Sequence, residues 1–139
     1  MSKKDICAEI LNKGGVGILP TDTLYGIVGM AFSKKAVARI FKLKKRSSKK
    51  PLIVLVGSFS DLAQFGVILD RNTSVALSRF WPGRVSVILP CPHPRFTYLH
   101  RGTKTLAFRL PKKKSLLALL AKTGPLVAPS ANPEGLPPA

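Results

Sequence analysis

A cluster of hydroxyl groups follows a short apolar segment near the start of the chain. The run GILPTDTLYGIVG, residues 17–29, begins like a strand and then presents two threonines, an aspartate and a tyrosine before Gly26. A tight turn needs only one or two polar residues beside Gly or Pro, so this segment carries more hydrogen-bonding groups than a turn requires. We therefore expect these hydroxyls to line a cleft.

Basic and amide side chains recur in three further segments. The run KLKKRSSKKP spans residues 42–51, Arg109 lies inside the apolar segment LAFRL, and PSAN spans residues 129–132. Taken alone, a solvated helix end explains the basic run and an ordinary Ser or Asn turn explains PSAN. Arg109 is more informative, because an arginine buried in a strand needs an anionic partner.

The charge of the whole chain favours a polyanionic partner. Lys and Arg number 23 against 6 Asp and Glu, the net charge is +17, and residues 71–133 contain no acidic residue. Because the cations alternate with apolar positions, the folded surface is expected to be basic and to bind nucleic acid, nucleotides or phosphates. The common phosphate-loop, dinucleotide and zinc-hydrolase motifs are absent, so a nucleotide would have to be held by side-chain cations and strand-end loops.

Length and composition predict one domain. The chain has 139 residues, 45% of them hydrophobic, and a mean hydropathy of +0.17. Its apolar runs are shorter than a membrane span and no signal-peptide core follows the first lysines, which predicts a cytoplasmic protein without a membrane partner. Cys91, His93 and His100 lack an established zinc spacing, so we expect no metal site among them.

The hydrophobic pattern predicts helices and strands that interleave along the whole length. Expected helices cover 5–12, 34–45 with Ser33 as N-cap, a short stretch near 60–61, 73–80, and 116–122 with Ser115 as N-cap. Expected strands cover 16–19, 51–56, 85–89, 105–111 and 126–128. The prediction is an α/β domain with a twisted, mixed open sheet flanked by helices. Polar clusters at 20–26, at 103–105 with Arg109, and at 129–132 are predicted to follow three different strands, beyond whose ends the ligands of open sheets collect.

Five blocks of this sequence together resemble the YrdC/Sua5 family, the threonylcarbamoyl-AMP synthases. The blocks are LPTDTLYG, LKKRSSKKPLIVLV, FWPGRVSVILP, TLAFRLP and GPLVAPSANPEG, in the family's order and with similar spacing from Gly14 to Gly135. The resemblance implies a single YrdC-like domain over residues 1–139. It also implies a nucleotidyltransferase that condenses L-threonine, bicarbonate and ATP into threonylcarbamoyl-adenylate with Mg²⁺, releasing pyrophosphate, for the t6A modification of tRNA.

The resemblance also implies two groups of site residues. Those implied for catalysis are Lys44, Arg46, Ser130 and Asn132. Those implied for substrate binding are Thr21, Thr23, Tyr25, Thr105 and Arg109. In this assignment Lys44 and Arg46 neutralise the negative charge that builds up when a carbamate approaches the α-phosphate of ATP. Ser130 and Asn132 orient oxygens of the bicarbonate-derived group or of the phosphate, and Arg109 pairs with the threonine carboxylate.

The sequence departs from the family pattern at several positions. Lys104 stands where many relatives carry an acidic residue, residues 112–114 are all lysine, and Leu55 stands where some relatives have histidine. Family members continue beyond the Ser-x-Asn block with a Ser-Thr-Val block that helps to bind ATP. We therefore expect the C-terminal portion of the family domain to be missing from these 139 residues.

Two alternatives remain beside the synthase. The first is a non-catalytic module of the same fold that binds tRNA or double-stranded RNA through its basic surface, without passing an adenylate to the t6A-transfer machinery. The second is a carbamoyl-transfer domain of the hydrogenase-maturation type. Retention of the Lys-x-Arg and Ser-x-Asn pairs favours the synthase over the first, and the lack of an acylphosphatase-like or zinc-finger segment counts against the second.

Overall fold

A computed structural model of the chain describes residues 3–21, 25–44 and 52–129. These residues form five α-helices, two 3₁₀ helices and six strands. The α-helices are α1 (Lys3–Asn12), α2 (Lys34–Lys44), α3 (Arg71–Ser78), α4 (Thr97–His100) and α5 (Lys114–Thr123). The 3₁₀ helices cover Phe59–Phe65 and Pro94–Phe96. The strands are β1 (Gly17–Pro20), β2 (Tyr25–Met30), β3 (Ile53–Leu55), β4 (Val87–Pro90), β5 (Thr105–Arg109) and β6 (Leu126–Val127).

The strands form one open, mixed sheet in the order β1-β2-β6-β3-β5-β4. Only the β3–β5 pairing is parallel, and the other four are antiparallel. Helices cover both faces of this sheet, and the central strands are therefore apolar throughout. The predicted α/β class with a mixed sheet is confirmed.

The core consists of two layers, one on each face of the sheet. Val54 and Leu55 follow one another in β3 and point to opposite faces, and both are fully buried. Val54 packs with the residues of α2, α3 and α4, whereas Leu55 packs with those of α1 and α5. Because both faces of β3 are buried, the sequence at 51–56 shows a continuous apolar run rather than an alternation of apolar and polar residues.

Most of the predicted elements are present, with shifted ends. The Ser33 cap on α2 is confirmed, since the Ser33 Oγ accepts a hydrogen bond from the Ala36 N–H at 3.2 Å. The predicted Ser115 cap is wrong, because α5 starts at Lys114 and the Lys113 carbonyl accepts the first-turn hydrogen bond from Leu117. The helix expected from residue 73 begins at Arg71, with the Asp70 carboxylate accepting the Thr73 N–H at 2.7 Å, and this hydrogen bond lowers the pKa of Asp70.

Strand β2 is absent from the sequence-based prediction. Its residues YGIVGM include two glycines, which strands disfavour because glycine has no side chain to pack and loses more backbone entropy. Gly29 is explained by packing: a Cβ there would lie 3.0 Å from the Ile40 Cδ1 and 3.2 Å from the Ala36 Cβ. The close approach of α2 therefore requires glycine, and this tertiary contact is not visible in the local pattern.

Two further findings bear on expectations from the sequence. Among the described residues, no helix is long and apolar enough to cross a membrane. Trp81 belongs to the core: it is 4% exposed, and its indole N–H donates to the Val85 carbonyl at 2.8 Å.

Candidate functional site

The segments that carry the sequence motifs meet at one end of the sheet. Pro20 and Tyr25 face each other where β1 passes into β2. Beside them, the Ile27 N–H donates to the Pro129 carbonyl at 3.0 Å just after β6, and the Ala128 N–H donates to the Ile53 carbonyl in β3. We call this edge, where β1, β4 and β6 end and β2, β3 and β5 begin, the hairpin end.

Thr21 lies at the hairpin end next to the exit of β6. A Cβ placed on Gly26 would lie 3.5 Å from both the Thr21 Cγ2 and the Pro129 carbonyl oxygen. The Thr21 side chain therefore points to the same face of the sheet as Gly26. Residues 130–139 follow directly from this point, so the predicted residues Ser130 and Asn132, which lie outside the described residues, come next along the chain.

Tyr25 lies at the same end but on the other face. Adjacent residues of a strand point to opposite faces, so the Tyr25 side chain and the Gly26 side with Thr21 are on opposite sides of β2. Tyr25 is 54% exposed. The structure thus brings Tyr25 and Thr21 to one end without placing the phenol beside the threonine side chain, and the predicted residue Thr23 lies outside the described residues.

Lys44 closes α2 at the hairpin end. The Ser33 N–H donates to the Met30 carbonyl, so α2 begins beside the far end of β2, whereas Phe41 in its last turn lies under Arg101, four residues before Thr105. Lys44, the last residue of α2, is only 5% exposed. This burial places a cation inside the protein rather than on a solvated helix end. A lysine is almost never buried without a partner, so the position is unusual for a helix terminus. Arg46 lies outside the described residues.

Thr105 also lies at the hairpin end. It is the first residue of β5 and pairs with Pro90, the last residue of β4. The next contact inward is the hydrogen bond from the Ala107 N–H to the Leu52 carbonyl at 3.0 Å, which places Thr105 near the entrance to β3. The expectation that residues 103–105 follow a strand is wrong, since they lead into β5.

Arg109 lies at the opposite end of β5 from Thr105. Thr105 and Arg109 are four positions apart along the strand, so their Cα atoms lie about 13 Å from each other. Arg109 is 4% exposed, and its Nη1 donates to the Gly83 carbonyl at 3.2 Å, while the Gly83 N–H donates to the Leu110 carbonyl at 2.9 Å. The expected single cluster of residues 103–105 with Arg109 is therefore wrong. Arg109 holds the turn after Trp81, and its pairing with a threonine carboxylate stays a prediction.

Lys113 reaches the hairpin end although the sequence did not point to it. Its Nζ donates to the Pro20 carbonyl at 3.5 Å, and with Ser115 and Leu19 it lines a cavity of about 120 Å³. The triple lysine 112–114 is read from sequence as a surface for polyanions. No local signal reveals that the segment between β5 and α5 returns to β1, because this depends on the path of the chain over the sheet.

The described residues contain no cluster of side chains that would hold a metal ion by itself, and binding of Mg²⁺ together with ATP stays a prediction. Within residues 3–21, 25–44 and 52–129, no group of three or more His, Cys, Asp or Glu side chains could hold a metal ion. Cys91 is instead fully buried, with its Sγ bonded to the Phe65 carbonyl at 3.3 Å, and burial raises the pKa of this thiol to about 11.

An open mixed α/β sheet with sequence motifs gathered at its hairpin end defines the class of this protein. A family model described as "Telomere recombination", for the Sua5, YciO and YrdC proteins, matches residues 9–139. The chain belongs to this Sua5/YciO/YrdC family.

Sequence relatives and solved structures agree with this assignment. The threonylcarbamoyl-AMP synthase of Bacillus subtilis is 37% identical over 135 residues, which cover 94% of this chain and 38% of the relative. The threonylcarbamoyl-AMP synthase of Escherichia coli is 32% identical over 134 residues, which cover 94% of this chain and 70% of the relative. The structure of Pyrococcus abyssi Sua5 complexed with L-threonine matches with a TM-score of 0.88 and 33% identity, over 98% of this chain and 40% of that one.

A further solved structure shares the fold alone. T. kodakarensis HypF matches with a TM-score of 0.83 at 21% identity, over 98% of this chain and 18% of that one. The chain thus spans less than half the length of the B. subtilis and P. abyssi relatives.

Proposed function

We propose that this chain is the nucleotide-activating domain of an L-threonylcarbamoyladenylate synthase, an enzyme that serves the t6A modification of tRNA. Its substrates are L-threonine, bicarbonate and ATP. The observation that carries the proposal is that Thr21, Thr105 and the exit of β6 lie at the hairpin end, toward which α2 carries the buried Lys44. The threonine bound to P. abyssi Sua5 supports an amino-acid substrate for this fold.

The proposed reaction has two steps. The threonine amine attacks bicarbonate, forming an N–C bond with loss of water, and gives an N-carboxylate. A carboxylate oxygen then attacks the α-phosphorus of ATP as the bond from that phosphorus to the bridging oxygen breaks, and pyrophosphate leaves. Two anions meet in the second step, so the site needs preorganised positive charge.

Each predicted residue has a role in this scheme. Lys44, buried at the hairpin end, and Arg46 neutralise the meeting anions, Arg46 through its two-pronged guanidinium. Ser130 and Asn132 orient carbamate or phosphate oxygens. From the resemblance, Thr21, Thr23 and Thr105 are assigned to seat the amino acid and Arg109 to pair with its carboxylate. The wall of the pocket is assigned to Tyr25, although its side chain lies on the face of β2 opposite Thr21.

The experiment is pyrophosphate release from ATP with each substrate omitted in turn. Release is expected only with both threonine and bicarbonate. Serine should replace threonine poorly but measurably, because one methyl in a pocket is worth about 1–3 kcal/mol. ATP turnover that is indifferent to threonine would exclude the synthase.

The net charge of +17 favours one second candidate, a non-catalytic module that binds tRNA or double-stranded RNA. This candidate predicts no threonine-dependent release of pyrophosphate. It also predicts RNA binding that weakens steeply with salt, with Lys112→Ala, Lys113→Ala and Lys114→Ala each lowering the salt slope by roughly one. Binding that is flat with salt would exclude it.

A further inference from the structure

We propose that a groove on the outer side of α2 and α4 binds single-stranded RNA, with phosphates on its cations and an unpaired base on its aromatic rings. This α2–α4 groove consists of two cavities of about 660 and about 470 Å³ that share Lys34 and Tyr98 in their walls. Its cations are Lys34, Lys42, Arg95 and Arg101, and its accessible rings include Phe32 and Tyr98. The inference does not depend on adenylate chemistry.

The groove uses a different side of α2 from the core and from Lys44. Lys34, Ala38, Phe41 and Lys42 have the spacing i, i+4, i+7 and i+8, which places them along one flank of the helix. The buried side of the same helix is formed by Ala36, Val37, Ile40 and Lys44. A ligand in the groove therefore contacts the outer flank of α2 and does not contact Lys44, which lies on the buried side of the helix.

The groove cations are ordered but not neutralised. In the part of the chain that the structure describes, none of the four lies within ion-pair distance of a carboxylate. Three lie over rings instead: the Lys34 Nζ is 5.6 Å from the Tyr98 centroid, Arg101 is 4.5 Å from Phe41, and Arg95 is 5.1 Å from Phe96. A ring positions a cation while its charge stays available to an anion. No acidic residue occurs in α2 or in residues 71–133, so the local field attracts phosphates.

The aromatic rings favour RNA with unpaired bases over a duplex or a simple phosphate. Phe32 is 37% exposed and stacks on the buried Phe65 at 4.9 Å, which makes it a supported platform. Tyr98 is held by the hydrogen bond from its hydroxyl to the Ala31 carbonyl at 2.6 Å. Rings interleaved with cations are the recognition surface of single-stranded nucleic acid, whereas paired bases inside a duplex cannot stack on them.

The test compares adjacent lysines on one helix. Binding of a fluorescein-labelled twelve-nucleotide oligouridylate is measured by anisotropy at several salt concentrations for the unmodified chain, Lys34→Gln and Lys35→Gln. Both substitutions remove one exposed charge from α2, but Lys35 lines neither cavity. We expect Lys34→Gln and Arg101→Gln each to weaken binding and to lower the salt slope by about 0.7, with Lys35→Gln within about twofold of the unmodified chain.

A second pair of variants tests the stacking platform. Phe32→Leu should weaken RNA binding, whereas Phe80→Leu, which changes a ring that is 49% exposed outside the groove, should not. Threonine-dependent pyrophosphate release, where present, should be unchanged in Lys34→Gln. The proposal is overturned if Lys34→Gln and Lys35→Gln weaken binding equally. It is also overturned if only Lys112→Ala has an effect, if a duplex of equal length binds as well, or if phosphatidylserine vesicles bind and the RNA does not.

Discussion

Single residues determine whether the basic run acts in catalysis or only attracts anions. Arg46 and Lys49 belong to the same run, so exchanging their types tests geometry at constant charge. Arg46→Lys replaces a planar two-pronged donor by a point charge and should slow adenylate formation on the order of 10²-fold or more. Lys49→Arg should be nearly silent. Equal, small effects on pyrophosphate release would mean that Arg46 acts only through its charge.

Cys91 gives a prediction about pH. Burial raises its pKa to about 11 from 9.0, so the folded state disfavours the thiolate. Between these values the unfolded chain loses the proton and the folded chain keeps it, and the free energy of unfolding should therefore fall as the pH rises from about 9 to about 11. We expect this loss, on the order of 1 kcal/mol, to be absent from Cys91→Ala in urea titrations at pH 8 and 10.5.

The half-buried Cys7 is the matched control for the same experiment. Cys7→Ala should keep the loss of stability at high pH, because no buried thiol is removed. The interpretation would be contradicted if Cys91→Ala lost as much stability as the unmodified chain over this range.

The residue types suggested which side chains belong to a site, but not where the fold places each of them. Thr21, Lys44 and Thr105 come from separate blocks, and the sheet brings them to one end. Arg109 was read as a site residue because it is buried and cationic, yet its guanidinium binds the Gly83 carbonyl at the far end of β5. Burial of an arginine predicts a partner, but the sequence does not reveal whether that partner is a substrate or a turn of the protein.

The packing of α2 on β2 provides a test of the element that carries Lys44. Gly29→Ala would place a methyl 3.0 Å from the Ile40 Cδ1, so we expect a loss of about 1–3 kcal/mol in the free energy of unfolding. Ile40→Val removes that Cδ1. The double variant should therefore lose less stability than the sum of the two single variants in urea titrations, and strict additivity would contradict the contact.

Helices and strands were predictable where an extended amphipathic pattern or a capping residue marks them. Helices α2 and α5 have clear amphipathic patterns, and the Ser33 cap is visible in sequence. The start of α3 was also readable, because Asp70 is a strong N-cap, but the prediction began two residues later. Strand β2 could not be read, since Gly29 fits a contact with a helix that follows it in the chain.

At the scale of the whole molecule, the alternation of helices and strands predicted the class of fold, whereas strand order was not predictable. β6, the last strand among the described residues, inserts between β2 and β3, and this crossing brings its exit beside Thr21 and Ile53. Such long-range pairing leaves no local signature. The resemblance in five ordered blocks supplied what periodicity could not, because it links segments that lie far apart in sequence.

The central claim is tested most directly by the release of pyrophosphate from ATP by this chain, with threonine and bicarbonate each omitted in turn. We predict release that requires both compounds and that falls when serine replaces threonine. Loss of release in Arg46→Lys, with Lys49→Arg unchanged, would tie it to the Lys-x-Arg pair. Pyrophosphate release that is the same with and without threonine, or no release with all three substrates present, would contradict the assignment of this chain as a synthase.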